Sequence, residues 1–417
     1  MSEGVGRLGA VLYKFVRRLE ELKLVCLMVG LVVLLAGCAA QLVRTPVPLN
    51  LVDSVQVEGL PDVRYWGDAL PKNITSELRK GFEQTKIQRP NVFENGRRKK
   101  ARFLAISGGG SDGAFAAGLL SGWTATGQRP EFDLVTGIST GALAAPFAFL
   151  GPQYDRELEE IYTQYSTNEL VEPQLIAGLL GGASIADARK FEAVVAQYVD
   201  MELLRAIARE YDRGRRLLIG TTNLDAQRPV VWDMGKIAKG GDEKSLELFR
   251  NVLRASASIP AVFPPVVIDV AADGQRLQEL HVDGGTTGQV FFLPPQLILR
   301  SVAPDSVRRS IKGTDFQLYI IMNNQLSPKW TATKATATEI ARRSLSTLTK
   351  QQAISDLYKV YVEAKNNGIG YNIASVPKSF KLASKEPFDR DYMRALFEVG
   401  RGLGRNGYRW MRKPPGL

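Results

Sequence analysis

Between residues 101 and 325 the chain alternates between short apolar runs and segments with helical spacing. Residues 102–107 (RFLAIS) form an apolar run that enters a glycine cluster, and the alanine-rich stretch 114–125 beyond it has helical character. The pattern predicts strand, glycine loop, helix. The same order returns at once, with 132–136 as a strand, 137–141 as a tight turn and 142–150 as a helix. Strands alternating with helices predict a parallel sheet covered on both faces. Phe191, Val194, Val195 and Tyr198 recur at helical spacing, which predicts one long amphipathic helix from 185 to about 211. Residues 216–221, 228–232 and 266–270 read as further strands, the last turning through Ala272-Asp273-Gly274 into 277–282. Leu246, Phe249 and Leu253 mark a helix that ends before Pro260. Residues 316–322 are the last strong strand, and the remainder reads mostly as helix, over about 334–365 and 389–403. No internal repeat is visible. The expectation is one α/β domain with a helical carboxyl end.

The amino terminus has a different grammar. Lys14, Arg17, Arg18 and Lys23 precede an unbroken apolar run over 24–35, and the small residues Ala36 and Gly37 lead to Cys38. This is the layout of a signal peptide. The tetrad Leu35-Ala36-Gly37-Cys38 resembles the bacterial lipobox, which implies a signal peptide over 1–37 and a lipidated Cys38 as the first residue of the mature chain. The other reading is an uncleaved anchor, since 24–40 is near the shortest apolar length that spans a bilayer. Ala39 follows the cysteine where an aspartate would suggest inner-membrane retention, so the resemblance favours the outer membrane of a bacterial envelope. Residues 38–100 read as a linker and adaptor, turn-rich around Pro46, Pro48, Pro61 and Pro71.

With 417 residues and 45% apolar side chains, a large core is within reach. The formal charge is +11, and residues 1–37 account for only a small part of it. A basic balance suits anionic partners, whether nucleic acid or lipid headgroups. The densest runs are Arg97-Arg98-Lys99-Lys100 and the tail with Arg401, Arg405, Arg409, Arg412 and Lys413. Neither lies in a nucleic-acid-binding motif, so no nucleic-acid partner is expected. Cys26 and Cys38 are the only cysteines, which leaves the body without disulfides or thiolate metal sites.

Chemistry concentrates in three places. Gly137-Ile138-Ser139-Thr140-Gly141 fits the nucleophile elbow G-x-S-x-G between a predicted strand and helix, with Gly137 and Gly141 relieving the crowding of a sharp turn. Gly108-Gly109-Gly110-Ser111-Asp112-Gly113 also joins a strand to a helix, and its backbone N–H groups can cradle an oxyanion. It satisfies the dinucleotide pattern G-x-G-x-x-G as well, but the acidic residue expected about twenty positions later is poorly met. Asp283-Gly284-Gly285 follows the strand 277–282 and places a carboxylate at a strand end. The only histidine is His281. Either Asp283 takes the Ser139 proton directly, or His281 serves as the base of a triad. The direct pair is the better geometry, because residues two apart on a strand run side by side, whereas a triad histidine stands between serine and acid. Residues 175–180 with Gly181 and Gly182 read as a lid or interfacial patch, or as a buried helical turn.

The glycine loop, the GISTG elbow and the DGG turn occur in the order of the three blocks of the patatin-like phospholipase family, and Ala255-Ser256-Ala257-Ser258-Ile259-Pro260 with Phe263-Pro264-Pro265 resembles a fourth. The resemblance spans roughly 101–290. It implies a three-layer α/β/α fold with a mainly parallel central sheet, a catalytic core over 101–325 and a mainly helical extension over 326–417. It further implies Ser139 as nucleophile, Asp283 as proton acceptor and Gly108, Gly109 and Gly110 as the oxyanion hole, with no cofactor and no metal. The expected partners are a lipid ester and the membrane reached through Cys38. Many members carry Arg or Lys where this chain has Asp112, which weakens the case for a phosphate headgroup at the loop. The alternatives are a lipid-binding scaffold with an inert site and a general serine esterase that uses His281.

Overall fold

A computed structural model of the chain describes residues 18, 20, 22, 23, 44–173, 186–260, 262–292 and 303–417. Its centre is a nine-stranded sheet made of β1 (Arg64–Trp66), β2 (Lys100–Ile106), β3 (Leu134–Ile138), β4 (Arg216–Asn223), β5 (Arg228–Asp233), β6 (Val266–Ala272), β7 (Gln275–Asp283), β8 (Asp315–Met322) and β9 (Gly370–Ser375). The spatial order is β1-β5-β4-β3-β2-β8-β9. From β4 to β9 neighbours run parallel, while β5 and β1 are antiparallel. The hairpin β6–β7 joins through the last three residues of β7, which pair antiparallel with the end of β4.

The apolar runs form strands because both faces of the sheet are covered. Successive side chains go to opposite sides. Leu104, Ile106, Leu217 and Ile219 belong to one core, packed by α2 (Ala114–Thr124), α3 (Thr140–Leu150), α8 (Glu243–Ser256) and α10 (Arg390–Arg405). Ala105, Leu218, Val231 and Ile320 face the other, closed by α9 (Ala337–Asn366). The three layers and mainly parallel sheet are those expected.

One feature of the pairing sets up the site. β3 pairs with the first part of β4, up to Ile138 opposite Gly220. The opposite edge of β4 is taken by β5. The tip of β7 therefore lies on the same edge as β3, with Asp283 opposite Thr221. Two strands thus meet end to end, and the residue after β3 faces the last residue of β7.

The structure departs from the sequence expectations in three places. The helix expected over 185–211 is two helices, α5 (Arg189–Tyr198) and α6 (Met201–Asp212); Asp200 starts the second by accepting the Leu203 N–H at 2.8 Å. The segment read as linker and adaptor supplies β1 and α1 (Ile74–Gln88), and buries Val63 and Phe82. The carboxyl end contributes β9, parallel to β8. β9 was missed because its buried residues include Asn372, whose side chain donates to the Leu318 carbonyl, so the run has no apolar alternation.

α2 and α10 approach at backbone contact. A Cβ on Gly122 would stand 2.1 Å from the Arg401 carbonyl oxygen, whereas a Cβ on Gly402 would meet nothing within 4 Å. Gly122→Ala is expected to lose about 1–3 kcal/mol. Gly402→Ala is expected to be neutral or to gain up to about 1 kcal/mol. Urea midpoints of the two variants against the parent check the contrast.

Candidate active site

At the end of β3 the chain reverses into α3 through Ser139, whose φ of 55° and ψ of −127° are unusual for a residue with a side chain. Such a conformation costs on the order of 1–3 kcal/mol and persists only where its surroundings enforce it. Here they do. A Cβ on Gly137 would lie 2.5 Å from the Gly141 carbonyl oxygen, and one on Gly141 would lie 2.3 Å from that of Ile106. The Ser139 N–H donates to the Ser256 hydroxyl at 3.0 Å, and that hydroxyl donates to the Gly220 carbonyl at 2.7 Å. The elbow is thereby tied to β4 and to the end of α8.

Ser139 Oγ donates to Asp283 Oδ2 at 2.6 Å. Asp283 Oδ1 accepts the Gly285 N–H at 2.7 Å, and the Asp283 N–H donates to the Ser258 carbonyl at 2.9 Å. Both side chains are buried. Burial pushes the Asp283 carboxyl up to about 7, against the opposing pull of Ser139 and the Gly285 N–H. The carboxyl is thus poised to exchange a proton near neutral pH.

His281 takes no part in this contact. Its Nε2 lies 3.1 Å from Glu279 Oε2 and its Nδ1 lies 2.9 Å from Thr221 Oγ1. Burial lowers the pKa of the ring, and Glu279, held ionised beside Arg64, requires a donor at Nε2. The neutral ring therefore accepts from Thr221 at Nδ1. Both nitrogens are committed away from Ser139, so the triad geometry is not met.

The glycine loop is splinted by Asn323, at the end of β8. Asn323 donates its N–H to Ser107 Oγ at 2.8 Å and its Nδ2 to the Ser107 carbonyl at 2.9 Å, and accepts the Ala116 N–H at 3.1 Å. Gly109, at φ 155°, passes so close that a Cβ would stand 2.2 Å from the Asn323 carbonyl oxygen. One expectation needs correction. The Gly108 N–H donates to the Gln289 carbonyl at 3.0 Å and is not available to an oxyanion. Gly108 matters for what it lacks, since a Cβ there would come within 3.2 Å of Ser139 Cβ. The Gly109 and Gly110 N–H groups have no acceptor among the described residues.

Asp112 points inward. Tyr392 on α10 donates to Asp112 Oδ1 at 2.5 Å, and Ser111 Oγ accepts the Phe388 N–H at 2.9 Å. Burial pushes the Asp112 carboxyl up to about 6, opposed by the Tyr392 hydrogen bond and the charge of Lys329. The loop is strapped at its far side by the start of α10. Beside Ser139 lies an apolar hollow lined by Gly110, Thr140, Leu143, Phe191, Val195 and Met393. Cys38 and the stretch 175–182 lie outside the described residues. The dinucleotide reading loses its acidic partner, because Asp133 precedes β3, at the end of that strand away from the loop, and is paired with Arg89 and Arg98.

Four contributors were not foreseen: Gln289, Asn323 and Tyr392, and the role of Ser256 within its block. Only Ser256, in the serine-rich end of α8, carried a signal in the sequence.

Residues 104–294 match the family described as Patatin-like phospholipase. A comparison with curated proteins gives no match. Among solved structures the chain is similar to VipD from Legionella pneumophila, with 10% identity, a TM-score of 0.34, and coverage of 74% of this chain and 67% of that one. It is also similar to human GIVD cytosolic phospholipase A2, with 10% identity, a TM-score of 0.29 and coverage of 78% and 53%. A third is ExoU of Pseudomonas aeruginosa in complex with SpcU, with 12% identity, a TM-score of 0.28 and coverage of 74% and 52%. The chain spans about half the length of the latter two.

An unfolded aspartate titrates near 3.8 and the folded Asp283 near 7, so folding favours the protonated form. The stability this group contributes is fully present below about pH 4 and is lost as pH rises through about 7. Asp283→Asn is therefore expected to exceed the parent in stability at about pH 8, by roughly 1.4 kcal/mol for each tenfold gain in proton affinity on folding, and to lose that advantage toward pH 4. Chemical denaturation of both proteins across this range measures the difference.

Proposed function

We propose that residues 104–294, which match the patatin-like phospholipase family, make the chain a lipid acyl hydrolase in which Ser139 and Asp283 form the catalytic pair. The observation that carries the reading is the 2.6 Å hydrogen bond between a buried serine in a strained elbow and a buried carboxylate titrating near neutrality.

In the first step Ser139 Oγ attacks the carbonyl carbon of a carboxylic ester and Asp283 takes its proton. The tetrahedral oxyanion is held by the Gly109 and Gly110 N–H groups, and the amino terminus of α3 favours the same negative charge. As the intermediate collapses, Asp283 returns the proton to the departing alcohol and an acyl-Ser139 ester remains. Water then attacks that ester, Asp283 accepts a proton from it, and the fatty acid leaves as Ser139 recovers its hydrogen. The hollow bounded by Leu143, Phe191 and Val195 suits the acyl chain. Cys38, as the lipidated first residue of a processed chain, would hold this body at the bacterial envelope, on the outer membrane.

Hydrolysis of a short-chain aryl ester tests the reading. Ser139→Ala and Asp283→Asn are each expected to lower kcat by at least about a thousandfold. His281→Gln, if folded, is expected to stay within about tenfold of the parent, since its ring does not touch Ser139. Equal loss from the histidine change would favour a histidine base, and no turnover by the parent would favour a lipid-binding scaffold.

The same assay followed across pH reports the base. Asp283 must be ionised to accept the proton, so kcat/KM is expected to rise with a single deprotonation near about pH 7 and then level off. A profile that is flat through this region contradicts Asp283 as the base.

A further inference from the structure

One cleft gathers cations at the end of the sheet. It lies between the loop after β8, the first half of α9 and the chain following β9, and it is lined by Lys329, Arg343, Lys350 and Lys378 without a carboxylate among its described residues. None of the four forms an ion pair among the described residues. Two of the four are held: the Arg343 guanidinium donates to the Lys329 carbonyl at 2.6 Å and the Lys350 ammonium donates to the Ser327 carbonyl at 2.8 Å. Burial and the charges of Arg343 and Lys329 lower the pKa of Lys350. An anion in the cleft would relieve that repulsion.

Beside the cleft, Trp330 follows Lys329 and is 88% exposed, and Ile340, one turn before Arg343 on α9, is 50% exposed. An exposed tryptophan and a helical isoleucine next to lysine and arginine are the composition of a surface that lies in a bilayer interface.

The position is equally specific. The chain leaves β8 through Asn323, which backs Gly109, and enters the loop that carries Lys329, whose charge acts on Asp112. Gln352, on α9 just beyond Lys350, accepts from Gln289 Nε2 at 3.0 Å, and the same Nε2 donates to the Gly285 carbonyl beside Asp283 at 2.8 Å. The cleft and the Ser139–Asp283 pair share one end of the sheet.

We propose that this surface docks the protein on a bilayer containing anionic phospholipid, with the cleft holding a phosphate headgroup while Trp330 and Ile340 enter the interface. That the docked face presents Ser139 to its substrate rests on the hydrolase reading; the docking does not. An acidic protein partner is the competing occupant. Cations set around a pocket and fringed by apolar residues fit a headgroup and acyl boundary better than an acidic protein surface.

The test uses the full chain carrying Ser139→Ala, so that no lipid is consumed, in flotation with vesicles of phosphatidylcholine alone or mixed with phosphatidylglycerol. The apolar run 24–35 is common to all variants, so the readout is the ratio of binding to anionic over neutral vesicles. A preference of at least about tenfold is expected, falling toward unity in Arg343→Gln/Lys378→Gln. Trp330→Ser/Ile340→Ser is expected to weaken binding to both vesicle types. Urea midpoints confirm that the variants fold. Equal binding to both vesicles by the parent, an unchanged preference in the cation variant, or binding of inorganic phosphate or an acidic protein without vesicle preference would overturn the proposal. Soluble-ester turnover by the chain with Ser139 intact is measured alongside. Its absence with the anionic preference retained supports docking and defeats the hydrolase reading.

Discussion

The site depends on a single shared edge. β4 carries β3 along its first part and the tip of β7 along its last, and the chains converge at Gly220 and Thr221. The Gly220 carbonyl accepts the Ser256 hydroxyl, and a Cβ on Gly284 would come within 2.5 Å of that same carbonyl oxygen. The separation of Ser139 and Asp283 is therefore set by backbone pairing rather than by the reach of flexible side chains. Both residues have short side chains and few rotamers, so little freedom remains once the strands have paired. A contact built on rigid elements keeps its geometry better than one built on loops.

That rigidity holds two unfavourable features in place. Ser139 adopts a backbone conformation that side chains avoid, and Asp283 is buried without a cation beside it among the described residues. In the isolated chain either would relax. In the fold, Gly137 and Gly141 remove the steric obstacle, Ser256 holds the Ser139 amide, and the Gly285 N–H gives the carboxylate one fixed donor. One donor and one hydroxyl are too few to keep the carboxyl strongly acidic, which is why burial dominates its titration. Stability given up at one position in this way is a recurrent property of sites that perform chemistry.

Much of this was legible in the sequence because its signals are local. The apolar runs that become β2, β3, β4 and β8 need only covered faces to be read as strands, and the GISTG and DGG turns are contained within a few residues. What escaped depends on distance along the chain. Asn323 splints a loop more than two hundred residues earlier, and Tyr392 reaches Asp112 from still farther; neither carries a pattern of its own. The Gly108 amide is occupied by the carbonyl of Gln289, a bond that a glycine motif cannot announce. β1 is three residues long, too short for any alternation to register. The break between α5 and α6 was hidden for another reason, because apolar periodicity continues on both sides of Asp200 and only the cap distinguishes them.

Asp112 connects the glycine loop to the basic cleft. The family resemblance leads one to expect a cation at this position, near the oxyanion loop, and its replacement by a carboxylate first weakens the case for a phosphate headgroup. The structure gives the substitution a different meaning. The Asp112 side chain turns inward to Tyr392, where it helps fasten the loop to α10, and the charge of Lys329, on the loop after β8, acts on it. An arginine or lysine at 112 would meet Lys329 with like charge and would lose the tyrosine hydrogen bond. The carboxylate is thus compatible with cations placed one strand further along the sheet, at the cleft that holds Arg343, Lys350 and Lys378. On this view positive charge has not been removed from the mouth of the site. It sits at the rim of the cleft instead of on the glycine loop, so that in the proposed docking the headgroup would be met apart from the reacting ester.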